Sequence, residues 1–454
     1  MNYSPQNRTD DLFSLAAQHV DNEELESART VLDSILRLEP ERPDAMILLA
    51  QVHGLLDNQF AEIAMLLQTA DVMPLDVDQS IRLSTLQFDN HQHQEAIATI
   101  DQALRRDPTD KCLINQYTFL LRVTRNRSAA LDFLDEQIPE SLDARAKLQR
   151  ALIHLAEGRL QQGWSDFDQR HNLDETYNEP ATLPGWKGEP LEGKHLLVTS
   201  EGGFGDQIWA ARFLPHVQRL GGKISLQTPK ALKNLFEELE GIDNLVDLDT
   251  PHEDFDLFCP ILSLPVCLNV SDPAMYQPAR LAVSRNLNPR LVDQMNRHVD
   301  KVKVGIIWSG SKTYTNNHHR SAPLKSFLPL LTVPGTRFFS LQKGPQHEDL
   351  RQLGYGHLIE VAADGDFSET AALVESMDLI IMTDTAVAHL AGSMGAPVWN
   401  LVDHSPYWYF DAEGVSEWYP SMHLFRQTKP GDWRSVFETV RHELLRFVAK
   451  QRSI

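Results

Sequence analysis

Cysteine is scarce in this chain of 454 residues: Cys112, Cys259 and Cys267 form an odd set without a CxxC pair. That excludes a disulfide scaffold and a cysteine zinc site, and it predicts reduced thiols in a cytoplasm. Long hydrophobic runs are missing too, with nothing near the ~20 apolar residues that cross a bilayer. The amino terminus, MNYSPQNRTDD, lacks the basic and apolar regions of a secretory signal. Cations are in deficit: 42 Lys+Arg against 63 Asp+Glu leave a net charge of −21. A surface that acidic disfavours nucleic acid and anionic lipid as partners, while leaving room for a local basic pocket. At 42% hydrophobic and 23% charged residues, the composition is otherwise that of a globular protein. The length predicts about three domains.

The first third is repetitive. Pro40, Pro74 and Pro108 are 34 residues apart, and each closes a helical run: LDSILRLEP, MLLQTADVMP and TIDQALRRDP. Eight residues before each proline stands Leu32, Leu66 or Ile100, and twelve before stands Ala28, Glu62 or Ala96. Small and apolar residues at this period let antiparallel helices pack closely. The pattern resembles the tetratricopeptide repeat (TPR), with Glu62 as a departure at a normally small position. A shorter fourth unit ends at Pro139, and a closing helical pair follows. We assign 1–175 to the repeats and 176–194, rich in Pro and Gly, to a linker ordered by Trp186.

From His195 the pattern changes to short β-rich runs alternating with amphipathic helices. HLLVTS, KISLQT, NLVDLD and FDLFCPI form one series; KVKVGIIWSG, RFFSLQ, HLIEVA, DLIIMTD, PVWNLV and HLFRQ form a second. Such alternation predicts two parallel, Rossmann-like α/β domains, 195–295 and 296–454. Ligands of such sheets bind beyond the carboxyl ends of the strands, so the loops there are where chemistry is sought.

Three loops qualify. After the first strand comes Glu201-Gly202-Gly203-Phe204-Gly205-Asp206, with a helix opening at Asp206 or Gln207. Ile208 stands where a dinucleotide fingerprint needs its third glycine. Asp206 has two readings, a cap for its own helix or a general base facing the cleft. After DLIIMTD come Asp384, Thr385, Ala386 and His389. Amides at Thr385 and Ala386, the Thr hydroxyl and the helix dipole suit an anion, with Asp384 as N-cap. His389 read alone is as well explained as a core histidine. The third loop runs from Ser309 and Gly310 through Lys312 to Arg320, with Lys343 after the next strand. Cations at successive strand ends suit a diphosphate, although a solvated loop explains Lys312 equally well. His318 and His319 are adjacent and no spaced carboxylate or cysteine joins them, so no metal is expected.

Together GEPLEGKHLLVTSEGGFGDQIWAARFLP, VGIIWSGS, RSAPL, FSLQKG, DTAVAHLAGSMGAPVW and WYPSMHLFRQ resemble the heptosyltransferase-like (family nine-like) glycosyltransferases of GT-B architecture. The whole chain resembles bacterial TPR-glycosyltransferase fusions such as flagellin glycosyltransferases. The resemblance implies that Asp206 acts as base on the acceptor, with Gly203, Gly205 and Glu201 in the acceptor-side loop. It implies that Asp384, Thr385, Ala386 and His389 hold the donor diphosphate and that Arg320 supports it. Ala386 departs from the family's usual glycine, and the first sheet is short. The expected activity is metal-independent, inverting transfer from a nucleotide-sugar to an acceptor, a protein presented by the repeats, with no cofactor. A TPR scaffold with a decayed catalytic domain is the alternative.

Overall fold

The computed structural model describes residues 5–136, 143–173, 180, 182–284, 289–311, 314, 317–361 and 365–451. The chain divides into two compact units, 1–149 and 150–454.

The first unit is a stack of helix pairs: α1 (Pro5–Asp21) with α2 (Leu25–Leu38), α3 (Pro43–Leu55) with α4 (Gln59–Val72), α5 (Val77–Asp89) with α6 (His93–Leu104), and α7 (Lys111–Val123) with α8 (Arg127–Glu136). Of the residues that carried the period, Ala28, Leu32, Ala96 and Ile100 have no exposure, and Ala130 and Leu134, one period further on, are equally buried. Glu62 is tolerated at its small position because Gly54 leaves space beside the carboxylate, and Arg82 grips both carboxylate oxygens at 2.6 Å.

The period also appears in the backbone, with no shared residue type to mark it. Glu23, Asp57, His91 and Arg125 are 34 residues apart, and each is left-handed, with φ of 61°, 56°, 61° and 63°. At each turn the next amide reaches back five residues to a carbonyl: Glu24 to His19, Asn58 to His53, Gln92 to Gln87, Asn126 to Leu121. This is the helix-ending Schellman bond, which usually employs glycine. Gly158 (φ 71°) makes the fifth such turn, between helices Ala144–Ala156 and Leu160–Phe167. Pro139 lies outside the described residues.

That last helix pair does not belong wholly to the repeats, as the boundary at 175 expected. The division falls after Gln149, within helix Ala144–Ala156. The reason is aromatic packing: Trp164 Nε1 donates to the Val270 carbonyl at 2.8 Å, and its ring meets Trp408 edge-on at 5.6 Å.

The second unit holds two all-parallel sheets, built from the ten segments expected. The first contains β1 (His195–Thr199), β2 (Lys223–Gln227), β3 (Asn244–Val246) and β4 (Leu257–Pro260) in the order β3-β2-β1-β4. The second contains β5 (Val302–Ile307), β6 (Thr336–Ser340), β7 (Ile359–Val361), β8 (Leu379–Thr383), β9 (Val398–Val402) and β10 (Met422–Arg426) in the order β10-β9-β8-β5-β6-β7. Counted within each sheet, these are 3-2-1-4 and 3-2-1-4-5-6, the doubly wound order. The strand direction of growth reverses between β1 and β4, and again between β5 and β8, and a crevice opens at such points. Trp186 anchors the connecting segment, with its amide donating to Phe258 O at 2.7 Å and its indole to Glu189 O at 2.8 Å. Among the described residues no helix is long and apolar enough to cross a membrane. Cys259 and Cys267 are free thiols with sulphurs 3.9 Å apart.

Candidate functional site

Both reversal points lead into helix starts, and the two helices meet. Helix Phe204–Ala210 follows β1, and helix Ala386–Ser393 follows β8. A Cβ added to Gly205 would lie 2.7 Å from His389 Cδ2 and 3.2 Å from the Ala386 Cα. Gly205 is therefore a contact glycine inside the helix, not a flexible point in the preceding loop. The helix begins at Phe204, two or three residues before the expected start at Asp206 or Gln207, with Gly203 as its cap.

Asp206 is held from both sheets. Its Oδ2 accepts from the Gly203 amide at 2.8 Å, and its Oδ1 accepts from the Tyr409 hydroxyl at 3.1 Å. Asp206 stands at the third residue of its helix rather than at the N-cap, and its carboxylate ties down the cap residue Gly203. Burial raises its pKa above the ordinary value of 3.8, opposed by these two hydrogen bonds, with Glu201 raising it further and Arg320 lowering it. A carboxyl shifted toward neutrality is a better proton acceptor from a hydroxyl.

On the other helix, Thr385 and not Asp384 is the N-cap, its hydroxyl accepting from Val387 N at 3.3 Å. The backbone explains the correction: Thr385 has extended φ and ψ, −150° and 173°, as a cap requires. No acceptor pairs with the amides of Thr385 and Ala386 among the described residues. Asp384 lies at the end of β8, its pKa raised by burial, lowered by Arg320 and raised by Asp206. His389 is 4% exposed, shares a 3.0 Å hydrogen bond with the Tyr419 hydroxyl and packs against Phe410. Burial, with Arg212 and Arg320 nearby, lowers its pKa to about 3, so it is neutral near pH 7. It joins the helices rather than offering a charge.

The third loop brings Arg320 to the same crevice. Its guanidinium carbon lies 4.4 Å from the Tyr314 ring centroid, and Nε donates to Asn317 Oδ1 at 3.3 Å. Gly310 makes room, because a Cβ there would lie 2.6 Å from Arg320 Nη2. Ser309 braces the loop, its hydroxyl 3.0 Å from that of Ser321 and its amide donating to Gln342 Oε1 at 3.0 Å. Among the described residues no carboxylate forms an ion pair with Arg320. Lys312 lies outside the described residues. Lys343 points elsewhere, donating to the carbonyls of Gly365 and Asp366 at 2.7 and 2.9 Å. Glu201 is likewise engaged: Arg170 clamps it at 2.6 and 2.9 Å, and with His171 lowers its pKa to about 2 against the cost of burial.

Sequence reasoning missed Tyr409, Arg170 and Arg212. Arg212 is 2% exposed, donates to the carbonyls of Trp209 and Trp418 at 2.9 Å each, and lies 4.7 Å from the Tyr419 ring centroid. The available signal for Tyr409 was the run Tyr407-Trp408-Tyr409-Phe410 in the loop after β9, too aromatic for an ordinary surface loop.

No family model matches the chain. Protein FlbA of Caulobacter vibrioides (strain ATCC 19089 / CIP 103742 / CB 15) is 29% identical over 342 residues, 68% of this chain. The chain spans only 56% of the length of that relative. The solved structure of a glycosyl transferase family 9 protein from Veillonella parvula DSM 2008 is similar over 57% of this chain and 99% of its own, at 14% identity and a TM-score of 0.41. YrrB, described as a TPR protein with an unusual peptide-binding site, is similar over 38% of this chain and 90% of its own, at 17% identity and a TM-score of 0.33.

Proposed function

We propose that the chain is a glycosyltransferase that moves a sugar from a nucleotide-sugar donor to an acceptor hydroxyl. The observation that carries this reading is the meeting of the Asp206 helix with the helix start where, among the described residues, the amides of Thr385 and Ala386 have no acceptor, with the Arg320 guanidinium, in no ion pair among those residues, nearby. The amides of Thr385 and Ala386 and the fork of Arg320 suit a diphosphate, and the helix dipole adds to both. In the reaction, Asp206 takes the acceptor proton as the acceptor oxygen attacks the anomeric carbon. The bond to the diphosphate breaks on the opposite face, its electron pair passing to the leaving oxygen, so configuration inverts. Donors placed where that negative charge grows do the work a divalent cation would otherwise do. Lys343 and His389, both occupied in structural contacts, are left out of the donor set.

The acceptor is a protein segment held by the repeats. Between α1, α3 and the end of α4, Asp10, Glu39, Arg42, Asp44, Ile47 and Met73 line a groove of about 730 Å³. Stacked repeats of this kind offer extended surfaces to peptides.

Thermal unfolding with UDP-glucose, UDP-N-acetylglucosamine, GDP-mannose, ADP-glucose and CMP-N-acetylneuraminate tests the donor site. At least one should raise Tm in wild type, and Arg320→Ala should blunt the rise. No response to any of the five would favour a repeat scaffold without transferase activity.

A further inference from the structure

The loop after β9 belongs to the second sheet, yet one of its side chains ends on the carboxylate of the first. Tyr409 is 3% exposed, and its ring is fixed by Trp209 at 4.7 Å, Trp408 at 4.1 Å and His389 edge-on at 5.2 Å. With the ring locked, the hydroxyl has one direction available, and 3.1 Å away in that direction is Asp206 Oδ1. The Gly203 amide occupies the other oxygen. Resting on the reading of Asp206 as the base, we propose that Tyr409 is a positioning residue: its hydroxyl fixes the Asp206 carboxylate and couples the base to the donor-side loop.

The charged and titratable groups facing Asp206 are Glu201 from the loop after β1, Arg320 from the third loop, Asp384 at the end of β8, His389 on helix Ala386–Ser393, and Tyr407, Tyr409 and Tyr419. Of these, Tyr409 donates directly to Asp206, and burial keeps its own hydroxyl protonated. A hydrogen bond to the charged carboxylate favours ionisation, so removing it leaves the buried Asp206 harder to ionise.

Tyr409→Phe keeps the ring contacts and deletes only the donor. Two measurements follow. In Tm against pH, the Asp206 carboxyl, raised by burial, costs stability as pH rises above 3.8. The variant should therefore fall further behind wild type from pH 4 to 7. With Asp206→Asn already present, Tyr409→Phe should cost the same at every pH. In the rate of nucleotide release from whichever of the five donors binds, the acid limb of kcat/KM should move toward neutral pH by about 1 pH unit. Replacement of Tyr409 by 3,5-difluorotyrosine, a stronger donor, should move it the opposite way and covers the case in which the phenylalanine variant does not fold. A pH-independent Tm gap in both backgrounds, or an acid limb unmoved by either replacement, would overturn the proposal. An Asp206→Asn enzyme with wild-type turnover would instead sink the base assignment, and the Tm comparison would still decide whether Tyr409 holds the carboxylate.

Discussion

The two sheets of the second unit begin alike and end in opposite chemistry. Each adds its first four strands in the order 3-2-1-4, and each opens a helix beside its reversal point. Past β1 the helix start carries a carboxylate whose oxygens are taken by Gly203 and Tyr409. Past β8 it carries a threonine cap and amides that have no acceptor among the described residues. Duplicating one scaffold thus does not duplicate its function: the strand order fixes where a ligand can sit, while a few loop residues fix the sign of the charge it meets. On the proposed function, the packing of Gly205 on Ala386 and His389 joins the two helix starts as half-sites of one site.

Breaking the first half-site should have the largest effect. Asp206→Asn keeps volume and a hydrogen-bonding oxygen but cannot take the acceptor proton, so turnover should fall by about 10² to 10⁴ with nucleotide binding retained. Activity within a few-fold of wild type would reduce Asp206 to a structural clasp. The second half-site is probed by Arg320→Ala, expected to lower kcat/KM by ~2–4 kcal/mol and kcat more than donor affinity, because leaving-group charge peaks in the transition state. Arg320→Lys should restore only part, since an ammonium cannot reproduce the planar fork. Equal kinetics for all three side chains would remove Arg320 from the donor site.

The seam between the halves is tested by Gly205→Ala. One methyl group must enter space occupied by the His389 ring and the Ala386 backbone, so stability should drop by ~1–3 kcal/mol in denaturant titration. An unchanged midpoint would mean that the helices separate freely.

The seam should also respond to pH through His389. Its folded pKa of about 3 lies below the ordinary 6.5, so the unfolded chain takes up a proton that the folded one refuses. Stability from this group is complete above pH 6.5 and is lost as pH falls toward 3. His389→Gln should flatten the Tm profile between pH 6.5 and 4; a profile as steep as wild type would assign the acid sensitivity to other groups.

The smallest effect is expected far from both halves. Glu23 is exposed and left-handed at φ 61°, a conformation that glycine adopts without strain. Glu23→Gly should gain about 0.5–1 kcal/mol in the repeat unit, partly offset by unfolded-state entropy, with catalysis unaltered. A loss of stability there would show that the Glu23 side chain matters more than its backbone.

How much of this was legible beforehand depended on the range of the interaction. Prolines 34 residues apart gave the helix pairs, because closing a helix is a local event. The Schellman turns at Glu23, Asp57, His91 and Arg125 share that period but not a residue type, so their regularity stayed hidden. All ten strands were marked by short β-rich runs between helical stretches. Lys343 and Arg320 looked alike as cations at strand ends. They part because carbonyls at Gly365 and Asp366 capture the lysine, whereas Gly310 gives the guanidinium room beside the main chain. Likewise, Asp384 was the expected cap, and the backbone dihedrals give that role to Thr385 instead.

What the sequence determined by itself was the order of elements and the loops that end at strand carboxyl termini, since periodicity and turn residues act over a few positions. Only the tertiary structure decided that Asp206 answers to Tyr409, 203 residues away, that His389 is a neutral wedge, and that Glu201 is bound to Arg170. Those outcomes depend on which side chains share a buried space, where a hydrogen bond missed is costly and a charge unpaired is costlier still. No local pattern along the chain encodes that sharing.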